Sequence, residues 1–324
     1  DKDLQRRIDA AKVYFTKGAT VKSDYTAVVN AMSQFRTVAN KRKFCQDYGL
    51  SFERMQESVQ SQEELLQGLV DTGFLESVRE GITLTSKANC NANNHRIVAA
   101  AYCAGLYPQL AKILRPPKRF VEVLGGNVER DATAAELRFF MPEQQNIEGW
   151  RAGQQARAKE AIERNADKDP LNSGSDGSNV NYSTEGLQRV FIHPSSVNFK
   201  NITFRDSNFL LYGERFMQPA SNLSVGAGGS ANESKILLRD ITEITPFPLL
   251  FFGGRLETQF LGGTISIDGW IRLSAPGRVV ALVQAARAEL DTLLLSKIRD
   301  PDRDLHSSGL LQLICRLFDT DGLG

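Results

Sequence analysis

The chain has 324 residues, 41% of them hydrophobic and 24% charged. These are ordinary fractions for a soluble globular protein, and the length predicts two or three domains, each able to bury its own core. A net charge of +1 excludes a bulk pull toward nucleic acid or membrane but leaves room for a local basic face. No apolar run approaches the roughly 20 residues needed to span a bilayer, and the N-terminus DKDLQRRIDAAKVYF lacks the apolar centre of a signal peptide. The chain opens on Asp1 rather than Met and is read as part of a longer one. Its four cysteines, Cys45, Cys90, Cys103 and Cys315, form no CxxC pair. That predicts a reducing compartment rather than a disulfide framework. Cys90, His95 and Cys103 lack a fourth ligand at zinc-like spacing, so they read as structural residues.

The first half reads helical. Residues 1–22 form an N-terminal helix. From Asp24, the residues Tyr25, Val28, Val29, Met32 and Phe35 fall at the spacing of one buried helix face, with Ser23 or Asp24 as cap. A second helix starts near Ser51 with an inner stripe of Phe52, Met55, Val59, Leu66 and Leu69, and Gly73 stops it. Gln62 falls on that stripe, either facing a partner helix or ligand channel or turned slightly outward. A third helix runs from about Asn94 as NHRIVAAAYCAGLY, and Pro116-Pro117 closes the helical half, 23–115.

Beyond Pro117 the pattern changes. RFVEV, RVFIHP, NFLLYGERF, KILLRDITEI, PLLFFGG and TISIDGWIRL are short, rich in β-formers and separated by turn residues. Five or six such strands predict a small closed barrel over 116–275, for which the OB-fold is a candidate. A flexible insertion is predicted at about 129–186, made of the polar run GWRAGQQARAKEAIERNA and the Gly/Ser/Asp-rich DKDPLNSGSDGSN, with protease cleavage expected between Ala166 and Tyr182. NLSVGAGGSANES reads as a mobile hairpin loop, because a strand rather than a helix follows it. After Pro276 comes a helix with a stripe of Val279, Val283, Ala286, Leu290 and Leu293, then a tail to 324. The fold class is therefore α+β and multi-domain.

Much chemistry is absent. There is no GxxxxGK[ST] loop and no DExH-like acidic motif, so no nucleotide hydrolysis is expected of these residues. GxSxG and HExxH are missing too. His193 beside Ser195 in FIHPSS reads as a strand-ending turn. Basic residues cluster at Arg36, Lys41, Arg42 and Lys43, at Lys112, Arg115, Lys118 and Arg119, and at Lys235 and Arg239. The last two are four apart on a strand and so share a face. One groove uniting these groups would track a phosphate backbone.

Several segments, in order from about 20 to 300, resemble the region C-terminal to the motor in DEAH/RHA-family RNA helicases. SDYTAVVNAMSQFR followed by KFCQDYGLSFERM resembles the start of that family's ratchet-like helical domain. NNHRIVAAAYCAGLYPQLAKI resembles its exit helix. VFIHPSSV, KILLRDITEITPFPLLFFGG and IDGWIRLSAPGRVVALVQAARAELDTLLLSKI resemble the OB-fold and closing helix. The last two are most similar to the subgroup with RNA helicase A and the G-quadruplex-resolving and ribosome-associated helicases. The resemblance implies that 1–22 is the remnant of a winged-helix region. It also implies packing against two RecA-like motor domains, which hold ATP and Mg²⁺, and a tunnel closed over single-stranded RNA. Lys235 and Arg239 match basic positions on an OB strand, and Lys118 and Arg119 lead into it. Gln62 stands where relatives carry Arg or Lys on the ratchet helix, a departure that weakens one phosphate contact. The expected function is an RNA-binding, motor-regulating module without cofactor of its own, cytoplasmic or nuclear and not membrane-bound. The alternative is a scaffold that binds an activator or ribosomal protein.

Overall fold

The computed structural model describes residues 2–116, 119–123, 126–130, 133, 136–143, 186–201, 204, 207–219, 234–259 and 263–322. The polar run 149–166, the stretch 167–179 and all but the last residue of the glycine-rich 222–234 lie outside these.

The chain starts with α1 (Lys2–Phe15), α2 (Asp24–Thr37), α3 (Lys41–Tyr48), α4 (Phe52–Asp71) and the short α5 (Val78–Ile82). Side-chain caps start four of them: Ser23 accepts from Thr26 N, Asn40 from Lys43 N, Ser51 from Arg54 N, and Ser77 from Glu80 N. Gly49 (φ 66°) ends α3 in the left-handed region, which favours glycine. The four longer helices enclose Phe15, Ala31, Met32, Phe35, Phe44 and Met55. The α2 face is rotated from the one its spacing predicts. Val28 and Val29 are about half exposed (52% and 46%), whereas Ala27 and Ala31 turn inward. In α4 the inner stripe fades after Val59, and Leu69 is exposed.

Asn94 caps α6 (His95–Leu106), accepting from the amides of Arg96 and Ile97. This helix ends before Pro108, whose ring pushes Tyr107 to extended backbone (ψ 132°). LAKI, read as the end of the exit helix, is instead strand β1 (Leu110–Leu114). The barrel thus takes a strand from ahead of residue 116, where the sequence reading starts it.

Further strands are β2 (Arg119–Val123), β3 (Gly126–Arg130), β4 (Arg138–Pro142), β5 (Leu187–Ile192), β6 (Phe209–Leu211), β7 (Glu214–Gln218), β8 (Lys235–Arg239) and β9 (Thr242–Ile244). Seven form one sheet in the order β7-β8-β5-β4-β1-β6-β9, in which only the β5–β8 pairing is parallel. Ala111, Ile113, Phe139, Met141, Val190, Ile192, Leu210 and Leu238 point to its interior. RFVEV pairs with β3 in a separate hairpin and not with the barrel sheet. Strand β4 corrects the insertion predicted at 129–186. It pairs with both β1 and β5 and buries Phe139 and Met141, so that stretch contains part of the core.

PLLFFGG, predicted as a strand, is mostly helix α7 (Pro246–Phe252). Pro246 starts it, at a position where its missing N–H costs nothing. TISIDGWIRL forms β11 (Thr264–Ile267) and β12 (Ile271–Ser274), which join β10 (Leu256–Gln259) in a sheet apart from the barrel. Helix α8 (Gly277–Arg299) buries Val280 and packs Val283, Ala286 and Leu290, whereas Val279 faces outward. The predicted tail holds a further helix, α9 (Gly309–Thr320), with Ile314 and Phe318 buried. The elements α6, α7, α8, α9 and β10–β12 share one core with the ends of β6 and β9.

Candidate nucleic-acid interface

Residues that pair across a sheet lie on the same face, and so do residues two apart on a strand. In the seven-stranded sheet, Val190, Ile192 and Leu238 point inward, which sets the other set outward. Register places Glu214 opposite Arg239, Phe216 opposite Leu237 and Gln218 opposite Lys235. Phe191 is opposite Leu237, Phe140 opposite Arg189, and Lys112 opposite Phe140. Arg138 lies two residues from Phe140. One outer face therefore carries Lys112, Arg138, Arg189, Lys235 and Arg239, interleaved with Phe140, Phe191 and Phe216. Glu214 is the one acid that β4, β5, β7 and β8 place there. At about 4.8 Å per strand, β1, β4, β5 and β8 spread the cations over about 14 Å.

The cations lean on the rings. Arg189 Cζ is 4.8 Å and Lys235 Nζ 5.8 Å from the Phe191 centroid, and Arg239 Cζ is 4.4 Å from that of Phe216. Such contacts orient the charged heads and leave their outer sides open. An open groove of about 390 Å³ follows β5, lined in part by Arg138, Arg189, Phe191, Gln218, Lys235 and Leu237. Burial, and then the nearby Arg272, hold the Lys112 amine below the usual lysine range. At the far end of β5, burial draws the pKa of His193 down, and so do Arg239 and Lys12. Its Nδ1 is 2.7 Å from Ser195 Oγ. No carboxylate among the described residues bonds its other nitrogen, so the pair terminates a turn and forms no triad.

Lys235 and Arg239 thus sit together on β8, which is flanked by β7 and β5 and is no edge strand. Gln62 is elsewhere, on α4. Its side-chain oxygen accepts from Arg36 Nη2 at 3.1 Å, while Arg36 Nη1 pairs with Glu63 at 2.8 Å, a clamp between α2 and α4. Lys41 lies over Phe35 and Arg42 over Phe52, so this basic cluster also braces helices. Arg115 ties β1 to the carbonyls of Phe204 and Ser207. Lys118 lies outside the described residues. Arg119 opens β2 opposite Arg130, and its side chain also lies outside. The sequence reading misses Arg138, Arg189, Phe191 and Phe216. The alternation of Arg189 with Phe191 on one strand is the signal that points to them.

Residues 98–256 match the family model for the oligonucleotide/oligosaccharide-binding (OB)-fold, and 263–320 match the C-terminal domain in RNA helicases. The chain belongs to the DEAH/RHA helicase family, in its C-terminal accessory region. A putative DEAH-box ATP-dependent helicase of Mycosarcoma maydis is 25% identical over 99% of this chain and 18% of its own length. The human ATP-dependent DNA/RNA helicase DHX36 is 26% identical over 86% of this chain and 21% of its own. The mouse ATP-dependent RNA helicase DHX29 is 33% identical over 40% of this chain and 8% of its own. The chain thus spans about a fifth of the length of the relatives that match most of it. In this helicase accessory module the OB-fold match runs from α6 to β10 and contains the whole cationic face. The C-terminal match covers β11, β12, α8 and α9, which the sequence reading divides between barrel and tail.

Proposed function

We propose that this accessory module grips RNA and regulates the motor of an ATP-dependent RNA helicase. The observation that carries the reading is the outer face of the seven-stranded sheet, where exposed Arg138, Arg189 and Lys235 alternate with Phe140 and Phe191. Cations spread over several strands suit a phosphate backbone, and rings among them suit a single strand. ATP and Mg²⁺ are assigned to RecA-like motor domains of a longer protein, since the phosphate-cradling loop and its acidic partner are absent from this sequence. Those motor domains are the proposed intramolecular partner, an activator protein or ribosome the proposed external one, and the cytoplasm or nucleus the proposed location.

The test is binding of a labelled single-stranded RNA by the wild-type chain and the Arg189→Ala/Lys235→Ala variant, across a salt series that starts at low salt. Losing two phosphate contacts on a single strand flattens the slope of log K against log salt by about 1.4 units. Affinity falls across unrelated sequences alike. Unchanged affinity and slope in a folded variant would remove the RNA role from this face.

A further inference from the structure

Arg239 is held unlike the other cations of the face. Its guanidinium rests on Phe216, and its Nε is buried with no hydrogen-bond partner. Glu214, the acid directly across the ladder, stays 3.8 Å away, beyond hydrogen-bond range. The guanidinium fork donates no side-chain hydrogen bond to any described residue, yet the ring fixes its plane. With Nε buried, the reachable part of the fork is the Nη end of this partly exposed side chain, and a fixed pair of Nη donors is suited to a bidentate oxyanion. His193 lies beside it, with its ring 6.2 Å from Phe216, and Lys12 reaches the same end of β5 by donating to the Pro194 carbonyl at 2.8 Å.

We propose that Arg239 is a seat for one phosphodiester of the bound strand, and that Glu214 is its resident competitor, a carboxylate the strand must displace. This rests on the RNA-binding reading of the face and adds its regulation. The loose pair has no net charge, so Arg239 in the native protein contributes little to counterion release. Removing the acid unmasks it. Phosphate that settles there also brings negative charge to His193, which then takes up a proton more readily.

The experiment measures binding of a labelled oligo(U) to the full chain by anisotropy, from low to moderate salt. The variants are Glu214→Gln, Arg239→Gln, the double variant, and Arg189→Ala/Lys235→Ala. An exposed ion pair is worth a factor of about 1.4 to 5, so Glu214→Gln is expected to bind about 3-fold tighter. Its salt slope should steepen by about 0.7, the value of one added single-strand contact. Both gains should vanish when Arg239→Gln is added. Glu214→Asp, which keeps the charge on a shorter stem, should fall between wild type and Glu214→Gln, and it serves as the second variant if Glu214→Gln does not fold. If Glu214→Gln lowers the melting temperature and leaves affinity and slope at wild-type values, the pair is only a cross-strand brace and the proposal is overturned. That result leaves the RNA reading standing if Arg189→Ala/Lys235→Ala still weakens binding. Oligo(U) binding that is indifferent to every variant overturns both. Tighter binding by Glu214→Gln of a poly-glutamate peptide but not of oligo(U) assigns the seat to an acidic protein segment and overturns the phosphodiester.

Discussion

Gly254 has no room for a side chain. A methyl group there would run into the Asp268 carboxylate. That carboxylate accepts from the Tyr107 hydroxyl and, at 2.9 Å, from the Arg255 amide. Burial and the Asp268 bond push the Tyr107 hydroxyl well above its ordinary pKa, so it remains a donor throughout the physiological range. Gly254→Ala must move Asp268 off at least one of these partners. The expected cost is about 2 kcal/mol in urea denaturation, and an unchanged midpoint would show that the turn yields freely. Single residues differ widely in how far sequence reveals their roles. Lys235 and Arg239 are readable as a pair because four residues along a strand return to the same face. Arg189 joins them only through the parallel β5–β8 pairing, between segments far apart in the chain. Arg138 joins through β4, which composition disguises: RFFMP is short, ends in proline and sits beside polar sequence. Gln62 is legible as a polar residue on an apolar stripe, but its partner Arg36 is visible only once α2 and α4 pack.

At the level of elements, the helical starts are the most legible, because Ser23, Ser51 and Asn94 are side-chain caps followed by periodic apolar residues. The failures cluster where an element is short and buried on several sides. The four residues Pro248–Phe251 of α7 are all buried, so PFPLLFF shows no exposed face to betray a period, and strand and helix look alike. Helix α9 was hidden by its position in an apparent tail. Its burial is nonetheless substantial: Phe318 is 5% exposed and meets Phe251 edge-on at 5.7 Å, with Phe252 at 5.9 Å. Phe318→Ala removes that anchor and leaves a cavity between α7 and α9. The expected loss is about 3–5 kcal/mol in chemical denaturation. A loss under about 1 kcal/mol would mean that α9 is only loosely docked. Such docking would contradict the further ties from α6 to this helix, Asn94 Nδ2 to Asp319 Oδ1 at 2.6 Å and Arg96 to the Asp319 carbonyl at 2.8 Å.

Over the whole molecule, a buried polar joint links the helical half to the barrel. Asp24, 9% exposed at the start of α2, accepts from Val197 N and Ile241 N, each at 2.7 Å. Ser23 Oγ meets Thr242 Oγ1 at 2.6 Å, and Asn198 donates to the Lys22 and Ile241 carbonyls. Polar contacts of this kind fix one relative position of the two halves, since sliding would strand buried donors. The sequence shows Ser23 and Asp24 as a cap, while their partners lie more than 170 residues away, beyond the reach of local pattern. Burial raises the Asp24 pKa above the usual carboxylate range, although the amides of Val197 and Ile241 and the Ser196 hydroxyl pull it back. A raised acid binds more protons folded than unfolded between its two pKa values, so its contribution to stability falls as pH rises through that window and is constant above it. Asp24→Asn does not titrate and offers one acceptor oxygen where the carboxylate offers two. It is expected to cost about 1–3 kcal/mol at neutral pH, the penalty of leaving a buried amide unmatched. Urea denaturation from acidic to neutral pH checks both the size and the sign. The deficit of Asp24→Asn against wild type should be largest at the acid end and shrink as pH climbs from the ordinary carboxylate value upward, then level off. A deficit that grows with pH would mean that the hydrogen bonds outweigh burial and that the native protein holds Asp24 below the usual range.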